Sequence, residues 1–382
     1  MDNFTLYNPT KLIFGKDTIP SLREEIPQDS RVLALFGGGS VKKNGVFEQV
    51  TQALSNHTCH HFWGVEPNPS VETLRNAIEL GREKGCNFIL AVGGGSVIDG
   101  AKLVAAAIPY SGDPWDLVLK RNYTHSETLP LGCVLTLPAT GSEMNRGAVI
   151  TNKATKEKFA FYSHTPKFSI LDPQSCYTLS HYQKACGLAD TFVHVLEQYL
   201  TTPGQSPLMD RWAEGILLTL LEIAPKVMEE GENYQEMASF MLSATMGLNG
   251  FIALGVSQDW TTHMIGHELS ALHNLTHAHT LAIVLPGTLR VLREEKGDKI
   301  VQMAKRVFSI DGGDRDRVIE STIEEIEQFF ISLGFKIRLS QSGVPIETIY
   351  EIERRFESRG VKLGENRAVD STIVRKILDS VI

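Results

Sequence analysis

Three near-continuous apolar runs, each closing on a turn rich in glycine or hydroxyl residues, constrain this chain more than any other feature. Arg31-Val32-Leu33-Ala34-Leu35-Phe36 runs into Gly37-Gly38-Gly39-Ser40, and Asn87-Phe88-Ile89-Leu90-Ala91-Val92 runs into Gly93-Gly94-Gly95-Ser96. Leu131-Gly132-Cys133-Val134-Leu135-Thr136-Leu137 leads into Pro138-Ala139-Thr140-Gly141-Ser142-Glu143. A strand with one wet face alternates polar and apolar residues. A strand that is apolar throughout is covered on both faces, as in a parallel sheet flanked by helices. His60–Val65 is a further strand candidate, while Val46–Leu54 and Val71–Lys84 carry helical periodicity, the second with Ser70 as N-cap. The alternation predicts β-α units stacked into a doubly wound, mostly parallel, Rossmann-like sheet.

Beyond residue 176 the strand signals fade. Asp210–Glu229, Tyr234–Gly247, Asp298–Phe308, Asp314–Leu333 and Thr348–Arg359 instead repeat at the helical period, separated by Pro203-Gly204, Gly231 and Asp311-Gly312-Gly313. The expectation is an α/β domain over residues 1–176 and an all-α domain over 177–382, a division that suits a chain of 382 residues. A net charge of -8 without a basic stripe argues against nucleic acid as a partner. No apolar run approaches the length of a membrane span, and Met1-Asp2-Asn3-Phe4 opens no secretory leader. Five cysteines without a Cys-x-x-Cys pattern read as packing thiols of a cytoplasmic protein. The stretch from Phe4 to Phe14 reads as a strand that pairs across a homodimer interface or within its own chain.

The second domain holds a set of potential metal ligands. Asp190 and His194 stand four apart in a helical stretch, so both leave one face a single turn apart. Such a pair alone is common. Five of the chain's 12 histidines, however, fall between 263 and 279, among them His263, His267 and His277. One carboxylate and three imidazoles, Asp190, His194, His263 and His277, suit a divalent first-row ion, ferrous iron or zinc alike.

The first domain holds the complementary machinery. Glycines in the turn at 93–95 let backbone amides approach a pyrophosphate, and the helix that follows turns its positive end toward it. The turn at Thr140-Gly141-Ser142-Glu143 adds hydroxyls after the third apolar run. All three turns close carboxyl ends of strands, where open α/β sheets bind ligands. An acid that would hold a ribose 2′-hydroxyl is missing between Gly37 and Gly45; glycines, Ser40, Lys42 and Lys43 stand there instead. That composition favours NADP(H) over NAD(H), with the lysines available to a 2′-phosphate.

Gly-Gly-Gly-Ser-x-x-Asp-x-Ala-Lys at 93–102, Thr-Gly-Ser-Glu at 140–143, Asp-x-x-x-His at 190–194 and His-x-x-x-His-x(9)-His at 263–277 match in order and spacing a known pattern. With these motifs the whole chain resembles the iron-containing, or group III, alcohol dehydrogenase family. The Gly37–Gly45 stretch and Trp260–Leu269 resemble its NADPH-preferring butanol dehydrogenase and aldehyde reductase branch. The resemblance implies that Asp190, His194, His263 and His277 hold the metal. It places Gly94, Gly95 and Ser96 on the pyrophosphate, and Asp99 toward the nicotinamide. Gly38, Gly39 and Ser40 would sit near the adenosine ribose and Thr136 near the adenine, with Asn145 and Lys158 also touching the cofactor. His267 matches a histidine beside the nicotinamide and substrate, a proton relay or a packing neighbour of the metal. The implied activity is hydride transfer between NADP(H) and short or medium-chain aldehydes or primary alcohols, in a homodimer. A lyase of similar architecture, resembling dehydroquinate synthase, would need a basic cluster for a substrate phosphate, and residues 260–280 carry none.

Overall fold

In a computed structural model describing residues 1–121 and 128–382, the apolar runs are strands. The strands are β1 (Lys11–Phe14), β2 (Arg31–Phe36), β3 (Thr58–Phe62), β4 (Phe88–Gly94), β5 (Leu131–Leu137), β6 (Gly147–Asn152), β7 (Glu157–Tyr162) and β8 (Phe168–Leu171). Six form one sheet in the order β1-β8-β5-β4-β2-β3, every pairing parallel. The helices of the first half are α1 (Leu22–Glu25), α2 (Val46–Ala53), α3 (Val71–Glu83), α4 (Gly95–Ala107) and α5 (Pro114–Leu119).

Both faces of the sheet are covered, as the apolar runs require. Val32, Ala34 and Phe36 of β2 join Leu90, Val92, Val134 and Ile170 in one core with Val46 and Val50 of α2. The intervening Leu33 and Leu35 are equally buried on the other face, where Leu33 meets Gly81 of α3 closely. Ser70 caps α3 by accepting a hydrogen bond from the Thr73 amide. Because β3 and β4 lie on opposite sides of β2, the strand order reverses between β2 and β4. The first two glycine turns leave the sheet at that reversal, the crevice where open sheets take up ligands.

Three details depart from expectation. Strand β3 ends at Phe62 rather than Val65 because Gly64 adopts a φ of 97°, outside the β region. The antiparallel β6–β7 hairpin leaves little trace in the sequence, since its alternation is weak and its turn is marked only by Lys156 at a φ of 52°. The N-terminal strand is confined to Lys11–Phe14 and pairs with β8 of its own chain.

The second half is helical: α6 (His181–Tyr199), α7 (Pro207–Met228), α8 (Tyr234–Gly247), α9 (Thr261–His273), α10 (His277–Val291), α11 (Arg293–Arg306), α12 (Arg315–Ser332), α13 (Glu347–Arg359) and α14 (Ser371–Asp379). The chain separates into two compact units. One comprises Tyr7–Lys184 and Glu229–Asn249, so the sheet-bearing unit includes α8; the other comprises Met1–Leu6, Ala185–Met228 and Gly250–Ile382. In the helical unit, α9, α10, α13 and α14 share a core of Ile265, Leu269, Ile283, Val284, Ile352, Phe356 and Ile377. Among the described residues no helix is long and apolar enough to cross a membrane.

Candidate functional site

The helical unit draws four side chains to one point from three helices. The four-residue spacing on α6 sets Asp190 and His194 on one face; α9 contributes His263, and α10 opens on His277. Asp190, His194 and His263 are buried, and His277 is partly open. Asp190 Oδ1 lies 3.7 Å from His194 Nδ1, 4.0 Å from His263 Nε2 and 3.7 Å from His277 Nε2. One ligating atom from each residue lies within 4.8 Å of those of the other three. Donors around a tetrahedral ion with bonds of about 2.1 Å stand about 3.4 Å apart, so the three Asp190 distances lie within roughly half an ångström of that spacing, and the histidines would have to draw together by up to about 1.4 Å to seat a first-row ion. The donor chemistry and the spacing both fit such an ion.

A polar frame holds this point. Glu197 follows His194 by three residues and faces the same way. Its Oε1 accepts the Thr262 amide at 2.6 Å, and its Oε2 accepts the His263 amide at 3.2 Å and meets His263 Nδ1. Burial pushes the Glu197 carboxyl well above its ordinary range and the Asp259 carboxylate adds to the rise; the two amides and the Lys296 ammonium oppose it. Burial would also raise Asp259, but Lys296, at 3.0 Å, and the Thr261 amide outweigh it and hold that carboxyl low. Lys296 Nζ donates as well to the Leu200 carbonyl at 2.9 Å, tying α11 to the end of α6.

Of the other histidines, His267 is buried with its ring centroid 5.1 Å from that of His277 and 6.4 Å from that of His263. His273 and His279 point elsewhere, toward Thr348 Oγ1 at 2.8 Å and the Lys336 carbonyl at 3.1 Å. Trp260 stands edge-on to His263, ring centroids 5.3 Å apart.

The sheet-bearing unit assembles the glycine turns. The N-cap of α4 is Gly94, and no side chain caps the helix. A Cβ on Gly95 would lie 2.4 Å from Thr140 Oγ1, so the second and third turns interlock through a glycine that cannot be enlarged. Gly39 adopts a φ of 97° ahead of the short helical turn Ser40–Lys42. The Lys42 ammonium lies 3.9 Å from the ring centroid of Trp63, which stacks on Phe36.

Beneath these turns lies a buried polar cluster. Lys102, 1% exposed, donates to Ser142 Oγ at 2.7 Å, Asn145 Oδ1 at 3.1 Å and the Gly147 carbonyl at 2.6 Å. Asp99 accepts Ser142 Oγ at 2.6 Å and the Val149 amide at 2.8 Å. Burial lowers Lys102 to about 8, against the opposing pull of Asp99, and burial likewise raises Asp99. Asn145 Nδ2 reaches the carbonyls of Thr140 and Leu248, and Lys158 Nζ donates to Asn68 Oδ1 at 2.7 Å. Gly38, Gly39, Ser40, Gly94, Gly95 and Ser96 therefore line the strand ends, with Thr136 near the end of β5. Asp99, Asn145 and Lys158 spend polar atoms on bracing the fold around them. In the sequence, Lys102 and Ser142 read only as members of motifs, and the frame of Glu197, Asp259 and Lys296 does not stand out. Glu197 carried a local signal, its place one turn beyond His194; the others meet only through tertiary packing.

Comparison with known proteins agrees in both units. Residues 9–173 match the iron-containing alcohol dehydrogenase family, and residues 184–380 match the C-terminal region of the Fe-containing alcohol dehydrogenase family. The NADPH-dependent aldehyde reductase YqhD of Escherichia coli is 49% identical over 385 aligned positions, covering 100% of both chains. A probable NADH-dependent butanol dehydrogenase of Bacillus subtilis is 40% identical, covering 99% of each chain. Among solved structures, E. coli YqhD superposes with a TM-score of 0.96 at 48% identity, covering 100% of this chain and 99% of that one. The NADH-dependent butanol dehydrogenase A of Thermotoga maritima gives 0.94 at 36% identity with the same coverage.

Proposed function

Because the chain belongs to the iron-containing alcohol dehydrogenase family, we propose that it reduces short and medium-chain aldehydes to primary alcohols with NADPH. It is an oxidoreductase acting on alcohols and aldehydes. The observation that carries the finer reading is the convergence of one carboxylate and three imidazoles within 4.8 Å. Asp190, His194, His263 and His277 would hold one divalent ion, iron or zinc, and the turns after β2, β4 and β5 would hold the dinucleotide. When bound, the ion polarises a carbonyl oxygen as a Lewis acid and the dihydronicotinamide supplies the hydride.

The chain's own residues do the rest. The amides of the turn at Gly94-Gly95-Ser96 and the positive end of α4 would anchor the pyrophosphate. Asp99 and Lys102 brace that turn from below against Ser142. His267, whose ring lies 5.1 Å from that of His277, would deliver the proton that completes the alcohol. Relatives divide between NADPH and NADH, so the preference rests on the Gly37–Gly45 stretch. The absence of an acid there, and the exposure of Lys42 and Lys43, support a 2′-phosphate. Five free cysteines suit a reducing cytoplasm, and the exposed Phe4, Leu6 and Tyr7 ahead of edge strand β1 offer apolar surface to a second copy.

The decisive test is oxidation of NADPH and of NADH with butanal, on protein stripped of metal and then reloaded with iron or zinc. Metal-dependent turnover with a higher kcat/KM for NADPH is the expected result. Equal kcat/KM for the two cofactors overturns the NADP assignment, and full turnover without metal overturns the metal reading.

A further inference from the structure

We propose that Glu197 is the positioning residue of the metal centre, setting the ring of His263 and the start of the helix that carries it with one carboxylate. The proposal rests on the ligand reading above.

Helix α9 begins without help from its own N-cap: Trp260 offers no side-chain acceptor to the first turn. Three amides of that turn nevertheless meet carboxylate oxygens. Thr261 donates to Asp259 Oδ1 at 2.8 Å, and Thr262 and His263 donate to Glu197 at 2.6 and 3.2 Å. Two of the three partners thus come from a different helix, α6, and from the face that bears Asp190 and His194. Negative charge at a helix N-terminus is favourable in its own right. It does not explain why the same carboxylate also meets His263 Nδ1.

The ring contact has a chemical consequence. An imidazole ligates a metal through a nitrogen lone pair, and a lone pair at Nε2 requires the ring proton at Nδ1. Glu197 Oε2 is the acceptor placed to receive that proton. Held in this way, Nε2 points toward Asp190 Oδ1, 4.0 Å away. The carboxylate is itself fixed. Glu197 is 4% exposed, and its backbone carbonyl accepts the Asp259 amide at 2.8 Å. Asp259 is in turn clamped by Lys296. Asp190, His194 and Glu197 form a single stripe on α6, so one helix supplies two ligands and the orientation of a third.

Glu197→Gln tests orienting against capping. The variant keeps an oxygen for the Thr262 amide but turns an NH2 group toward the His263 amide and Nδ1, which gives up one of the two capping bonds and favours the tautomer with the proton on Nε2. The readouts are zinc affinity by chelator competition, the visible spectrum of the cobalt-substituted protein and thermal unfolding of the metal-free protein. Expected are a metal-free Tm lowered only by the loss of that one capping bond, a changed cobalt spectrum and zinc binding weakened about 10- to 100-fold, the range for residues that orient metal ligands. Glu197→Asp retains the acceptor on a shorter arm, so its affinity should fall between those of wild type and Glu197→Gln. It also carries the test if the Gln variant does not fold. Wild-type affinity and an unchanged spectrum in the folded variants overturn the proposal and leave Glu197 a helix cap. His277→Ala in the same assay separates the premise: if it binds zinc like wild type, the ligand reading fails and the proposal falls with it. If only His277→Ala loses metal, the ligand set stands and the role of Glu197 alone is refuted.

Discussion

At Asp190, His194, His263 and His277 the chain brings four side chains to one point, whereas at Gly37–Ser40 and Gly93–Ser96 it withdraws them and leaves backbone at the strand ends. The first arrangement is made of functional groups, and its geometry depends on three helices whose contributing residues lie far apart in sequence. The second is made of peptide units, and its geometry depends on the sheet that ends there and on the absence of Cβ atoms. The two regions should therefore fail in opposite ways. Removing atoms should break the proposed metal pocket, and adding atoms should break the proposed phosphate turns.

The largest expected effect belongs to removal. His277→Ala deletes an imidazole from the partly open side of the pocket. Metal content should fall with activity, and kcat should drop roughly a thousandfold or more, beyond the loss typical of residues that only orient ligands. Metal analysis and steady-state kinetics on the same preparation check this. A variant that retains stoichiometric metal and full turnover would remove His277 from the pocket's chemistry.

Next in size is addition. Gly95→Ala places a methyl group 2.4 Å from Thr140 Oγ1 and 2.7 Å from Thr140 Cγ2. Thr140 is short, β-branched and accepts the Ser142 amide, so it cannot swing aside without disturbing the third turn. NADPH affinity, measured by fluorescence titration, should fall roughly 10- to 100-fold while metal content stays at wild type, the converse of His277→Ala. Adding Thr140→Ala should recover part of the loss, because the nearest remaining Thr140 atom to the new methyl would be its Cβ at 3.1 Å. Unchanged affinity in Gly95→Ala would show that the turns tolerate enlargement, and the contrast between the two regions would collapse.

The same contrast explains what could be read from the chain alone. Strands β2, β4 and β5 announced themselves because burial on both faces leaves an uninterrupted apolar run. The hairpin β6–β7 did not, since half-buried strands beside polar turns look like loop. The convergence of Asp190, His194, His263 and His277 is legible because Asp and His have few other reasons to cluster, and a four-residue spacing has one meaning on a helix. The residues that hold the ligands were less so. Glu197 reads as an ordinary helical glutamate until α9 is laid against it, and Lys296 meets Asp259 across 37 residues of sequence. Under the phosphate turns, Lys102 reads as the last letter of a motif and gains its meaning only when Ser142, Asn145 and Gly147 converge on it.

That buried lysine gives the smallest effect and a test of how the second region is braced. In the unfolded chain the Lys102 ammonium titrates near 10.5; burial in the fold lowers this to about 8, with Asp99 opposing the drop. Between these values the unfolded chain keeps a proton that the folded chain has released. Stability then rises with pH wherever the unfolded state binds more protons, so this group's contribution grows from about pH 8 to about pH 10.5. Lys102→Met has no such proton to exchange. Urea unfolding of both proteins at about pH 8 and about pH 10 should show wild type gaining on the variant by about 2 kcal/mol. Parallel curves would mean that the ammonium keeps its ordinary proton affinity, and that Asp99 and the three acceptors around Nζ fully offset its burial. The turns above it would then rest on a charged strut whose hydrogen bonds and attraction to Asp99 offset its desolvation.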